Sequence, residues 1–99
     1  MAANGRMKTR PYREVLSANL TDPVKAEGYL NAVLEEYPEG FLKALRNVAQ
    51  ARQMAKVAQE AGIQRESLYR VLAEGGNPTL DTLTAVLKAV GLKISIAVR

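Results

Sequence analysis

Residues 54–73, MAKVAQEAGIQRESLYRVLA, constrain this chain more than any other stretch. Val57, Ala58 and Ala61 share one face of a first short helix, and Leu68, Val71 and Leu72 share one face of a second. Gly62 stands between them, where a left-handed backbone ends the first helix at no steric cost. Ala58 is the small residue a close helix crossing needs, and Ile63 is the apolar plug of the corner. This is the spacing of a helix-turn-helix. It also suits a helical hairpin inside any all-α core, with the glycine as a plain C-cap. What favours DNA is what the second helix leaves outside.

That exposed set is Gln64, Arg65, Glu66, Ser67, Tyr69 and Arg70. Arginine can fork onto guanine O6 and N7 or onto a phosphate, so Arg65 and Arg70 take the leading roles, with their division open. Gln64 suits bidentate pairing with adenine, and Ser67 and Tyr69 suit phosphate or thymine. Glu66 either accepts from cytosine N4 or only complements the helix N-terminus. Asn77 and Thr79, at the next helix start, either present donors to a phosphate or serve as loop and cap.

The chain has 99 residues, 47% of them hydrophobic, which suits one domain with a modest core. It has neither cysteine nor histidine. Disulfides and thiolate zinc sites are excluded, and the commonest general base and metal ligand are missing. No catalytic residues, metal or cofactor are expected. The net charge of +4 permits a polyanionic partner. No apolar run reaches membrane-spanning length and no signal pattern opens the chain, so a cytoplasmic protein is expected.

Read in order, residues 1–14 form a flexible basic arm with Arg6, Lys8, Arg10 and Arg13, suited to a DNA backbone or minor groove or simply solvated. Met7 is an alternative start. Tyr12, Val15, Leu16 and Leu20 are apolar enough to pin the arm's end to a single domain spanning residues 15–99. Thr21-Asp22-Pro23 starts a helix, with Val24, Tyr29, Leu30, Val33, Leu34 and Tyr37 as its expected buried stripe. Glu35 and Glu36 sit near its C-terminus, against the macrodipole, and Pro38 ends it. The next helix is predicted from about Glu39 to Arg52, with Lys43, Arg46 and Arg52 outward. Gly75-Gly76-Asn77-Pro78 is a loop, and Thr79 caps a last helix with Leu80, Leu83, Val86, Leu87 and Val90 inward, stopped by Gly91. Leu92, Ile94, Ile96 and Val98 then alternate with polar or small residues, a strand pattern over 92–98. A lone strand needs a mate, which its own copy in a homodimer or another protein's sheet would supply.

The run AGIQRESLYRVLAEGGNPTLDTLTAVLKAVGLKI resembles the addiction-module antidote family, small antitoxins with a helix-turn-helix of phage-repressor type. The likeness extends to Tyr29-Leu30-Asn31-Ala32 and covers most of residues 20–96. Ala61-Gly62-Ile63, Arg65 to Tyr69 and Gly76-Asn77-Pro78-Thr79 carry it. The resemblance implies an all-α, five-helix, phage-repressor-like domain, here with a short C-terminal β-strand. It also implies an antitoxin that silences a cognate, ribosome-dependent mRNA-cleaving toxin and represses their shared operon by binding double-stranded operator DNA. Two positions depart from the family pattern. Gln64 stands where a serine or threonine cap is usual, and Gln53 where a glycine usually turns the corner before the first helix of the motif.

Within this frame Leu92, Ile94, Ile96 and Val98 are candidates for dimerisation. Tyr29, Glu35, Glu36 and Glu39 are candidates for the toxin surface, because an acidic cluster away from the basic helix suits a basic RNA-cleaving partner. Two other readings compete: a stand-alone repressor with the same DNA face, and an interaction module that never meets DNA.

Overall fold

The computed structural model describes residues 20–99, which form five α-helices and one short 3₁₀ turn. The expected basic arm and the anchors Tyr12, Val15 and Leu16 lie outside the described residues. Leu20, the last of the anchors, is buried as expected.

Helix α1 spans Pro23–Glu36. The Asp22 carboxylate accepts from the Val24 N–H at 2.9 Å, and Pro23 fills the first position, where no donor is missed. Its inward line is Ala26, Leu30 and Val33, at i, i+4 and i+7, with Tyr29 half-buried beside it. The expected stripe was therefore too wide. Val24 lies on the far side and is 73% exposed, and Leu34 falls at the edge and is exposed too. Tyr37 has left the helix at φ −155° and is also exposed. Its ring lies against Gly40, where an added Cβ would come within 2.7 Å of it.

The second helix starts later than its sequence pattern suggested. Pro38–Gly40 form the 3₁₀ turn, and α2 proper is Phe41–Ala51. Ala44, Leu45, Val48 and Ala49 are its buried face. Arg52, at its C-cap, donates through Nη1 to the Thr21 carbonyl at 3.1 Å. The Asn47 amide donates to the Tyr29 hydroxyl at 2.9 Å. Both bonds tie the end or flank of α2 to α1 and the residues before it.

Helix α3, Met54–Ala61, packs most extensively against α5, Leu80–Ala89, and also meets α2 and α4, Arg65–Val71. Met54, Val57 and Ala58 carry that packing. Gln53 precedes it at φ 75°, ψ 112°, the only non-glycine with positive φ among the described residues. Its carbonyl accepts from the Lys56 and Val57 N–H groups, both at 3.0 Å, so the strained residue closes the first turn of α3.

Gly62 ends α3 at φ 75°, ψ 29°. Its N–H donates to the Gln59 carbonyl at 3.2 Å, and the Ile63 N–H reaches back to the Ala58 carbonyl at 3.0 Å. This pair of bonds is a Schellman cap, with half-buried Ile63 as its apolar contact. The same cap recurs at Gly91, with Gly91 bonded to Lys88 and Leu92 to Leu87. Leu92 closes the core there.

Between α4 and α5, Gly75 takes φ 81°. Gly76 has ordinary φ but no room: an added Cβ would overlap the Val71 carbonyl and come within 2.9 Å of the Ala73 carbonyl oxygen. Thr79 then caps α5, accepting from the Thr82 N–H at 3.1 Å. Val86, Leu87 and Val90 are buried and Leu83 is half-buried. Leu80 was expected among them and is instead 68% exposed, because it sits at the first position and at the edge of that stripe.

Among the described residues there is no strand. Residues 93–99 carry no regular structure in the single chain. Strand geometry is held by ladder bonds to a neighbour, and no other described segment offers one. Ile96 and Val98 are 93% and 100% exposed, and Ile94 is exposed as well.

Candidate nucleic-acid interface

The Schellman turn delivers α4 with one face committed to the core. Leu68 and, just past its end, Leu72 are fully buried, and Val71 packs partly against the same cluster. With that face fixed, period 3.6 leaves Gln64, Arg65, Glu66 and Arg70 exposed, while Ser67 and Tyr69 are half-buried at the margin. The six residues singled out from sequence thus share one short helix and its N-cap, four of them fully available to a partner.

Gln64 takes the extended conformation of an N-cap, yet its side chain makes no capping bond. A serine there would accept from a free N–H, so this helix is held mainly by its buried face. The Gln64 amide is correspondingly uncommitted. Glu66 lies in the first turn and Arg70 in the last, each complementing the nearer end of the helix dipole. That gives Glu66 a local structural role.

Tyr69 is the centre of a small basic cluster. The Arg65 guanidinium carbon lies over its ring, 5.7 Å from the centroid. The Arg46 guanidinium, reaching over from α2, lies 6.0 Å from the same centroid. From the sequence Arg46 was only an outward-facing cation on a different helix. Nothing in its local spacing signals that it ends beside Tyr69, since that depends on how α2 and α4 are set against one another.

Thr79 has a defined local task, because its hydroxyl caps α5 and also donates to the Thr82 hydroxyl at 3.1 Å. Asn77 is exposed in the loop before it. The residues considered for a toxin surface divide in two. Glu35, Glu36 and Glu39 are exposed around the end of α1 and the 3₁₀ turn, whereas half-buried Tyr29 is held by Asn47. The dimerisation candidates also divide, Leu92 sealing the core while Ile94, Ile96 and Val98 lie outside it.

Residues 14–98 match a protein family described as probable addiction module antidote protein. The chain belongs to this family. A relative in Haemophilus influenzae, strain Rd, is 40% identical over 82 residues, which cover 82% of this chain and 84% of the relative. That relative is described only as an uncharacterized protein, so it extends the family likeness without adding an activity. No solved structure matches the chain significantly. Membership in the antidote family implies, in general terms, a toxin as partner. No helix among the described residues is long and apolar enough to cross a membrane.

Proposed function

We propose that this chain is the antitoxin of a type II toxin–antitoxin module. It binds and neutralises a cognate mRNA-cleaving toxin, and it represses its own operon as a cytoplasmic homodimer that binds operator DNA. The observation that carries the antitoxin half is family membership over residues 14–98. The DNA-binding half is supported by the geometry of α3 and α4. A Schellman turn at Gly62 presents a short helix whose exposed side is Gln64, Arg65, Glu66 and Arg70, as a phage-repressor-like helix-turn-helix requires. Tyr69, Ser67, Asn77 and Thr79 complete the candidate contact set. Exposed Glu35, Glu36 and Glu39 favour a toxin surface at the end of α1, where complementary charge would speed encounter with a basic enzyme.

The test is co-expression with the adjacent small open reading frame, together with a gel shift on the DNA upstream of the pair. The neighbour should be toxic alone and harmless with this protein present, and the upstream DNA should be retarded. A harmless neighbour, or one that kills equally in both cases, removes the antitoxin half and leaves a stand-alone repressor, a reading the α4 surface supports by itself. Absence of any retardation leaves an interaction module that does not bind DNA.

A further inference from the structure

We infer that Arg46, although it lies outside the helix pair, forms with Tyr69 and Arg65 a binding site for a backbone phosphate of duplex DNA. The inference rests on the DNA-binding reading above and adds to it a second helix. Two guanidinium groups from different helices converge on one tyrosine ring. Among the described residues no carboxylate is paired with either of them. A tyrosine ring supplies only a modest attraction to each cation, and it leaves their guanidinium N–H donors without an anionic partner. An anion beside the ring would satisfy those donors, and a phosphate diester matches the planar fork of arginine.

Three further features fit a polyanion tracking along this edge. Lys43 is exposed one turn before Arg46 on α2, at the i, i+3 spacing that puts both on one face. The Tyr69 ring is half-buried and packed against the core, so the ring that both guanidiniums approach is itself fixed in place. Its hydroxyl makes no hydrogen bond to another described residue and is available as a donor to a phosphate oxygen. Arg46 is therefore an anchor that sets the register of α4 on the duplex. Being a phosphate contact, it carries no sequence information of its own.

The experiment is a salt titration of DNA affinity for wild-type protein, Arg46→Ala and Tyr69→Phe, on the operator and on an unrelated duplex, with circular dichroism checking the fold. Loss of one phosphate contact should lower the slope of log K against log salt by about 0.9 and weaken binding about eightfold at 0.1 M salt. For Arg46→Ala the loss should be equal on both duplexes, leaving the specificity ratio unchanged. Tyr69→Phe keeps the ring platform, so it should keep the full salt slope. A folded Arg46→Ala protein with the wild-type slope overturns this site while leaving the DNA-binding reading intact. A reduced specificity ratio overturns it in favour of base reading by Arg46. Wild-type protein that retains neither duplex at low salt overturns both the DNA-binding reading and the site.

Discussion

At the residue scale, one side chain sits where glycine would serve better. Gln53 holds φ 75° and ψ 112° immediately before α3, a region a side chain enters only against its own Cβ. The surrounding structure enforces it, because the Gln53 carbonyl closes the first turn of α3. Replacing Gln53 with glycine removes that conflict but adds freedom to the unfolded chain, and the two effects oppose each other. With strain of about 1–2 kcal/mol set against an entropic cost of about 0.5–1 kcal/mol, the net expectation for Gln53→Gly is about 0.5–1 kcal/mol of added stability, a rise of about 2–8 °C in Tm for a domain this size. An unchanged or lower Tm would mean that the glutamine side chain contributes a contact that compensates the strain. For recognition, Arg65→Ala and Arg70→Ala should each reduce operator affinity by about 1–3 kcal/mol where the arginine reads a base. One that touches only phosphate should weaken all sequences alike and flatten the salt dependence. If the double variant binds the operator as tightly as wild type, α4 is not the recognition helix.

At the scale of elements, most helices were legible because their punctuation is chemical. Asp22-Pro23, Gly62, Gly75-Gly76, Thr79 and Gly91 each mark a boundary that the structure places within a residue or so. What was not legible is which apolar residues those helices bury. Val24, Leu34, Tyr37 and Leu80 have the right chemistry for a core, yet all four stay exposed in the folded chain. Their exposure depends on tertiary placement, which periodicity alone does not contain. The C-terminal alternation poses the same problem in sharper form. Core closure ends at Leu92, and beyond it Ile94, Ile96 and Val98 are left uncovered. Deleting residues 93–99 should therefore leave helical circular dichroism unchanged while weakening self-association. Two recognition helices in such a dimer would address half-sites about 34 Å apart, or a multiple of that. Light scattering that shows an undiminished dimer at low concentration would move the interface away from this segment.

At the scale of the whole molecule, the family and the α4 surface were legible for different reasons. The family rests on a local run of residues, and the exposed set on α4 follows from helical period once Leu68 and Leu72 are fixed inward. Arg46 was not legible, because its meeting with Tyr69 joins segments more than twenty residues apart in sequence. Helical period therefore marks the helix that faces outward, while the cation beside its tyrosine emerges only from tertiary packing.

The division of α4 into a sealed face and an open one has a consequence for how such a protein can diverge. Leu68 and Leu72 hold the helix in the fold, while Gln64, Arg65, Glu66 and Arg70 are exposed around it. Exchanging the outer four touches no buried contact, and the helix-dipole contributions of Glu66 and Arg70 are worth only about 0.3–1 kcal/mol each. On the DNA-binding reading proposed above, one copy can drift after a gene duplication toward a new operator through these few codons while its core, its glycine turns and its crowded Gly76 stay as they are. Two paralogues in one cell would then come to recognise different partners before their folds differ at all.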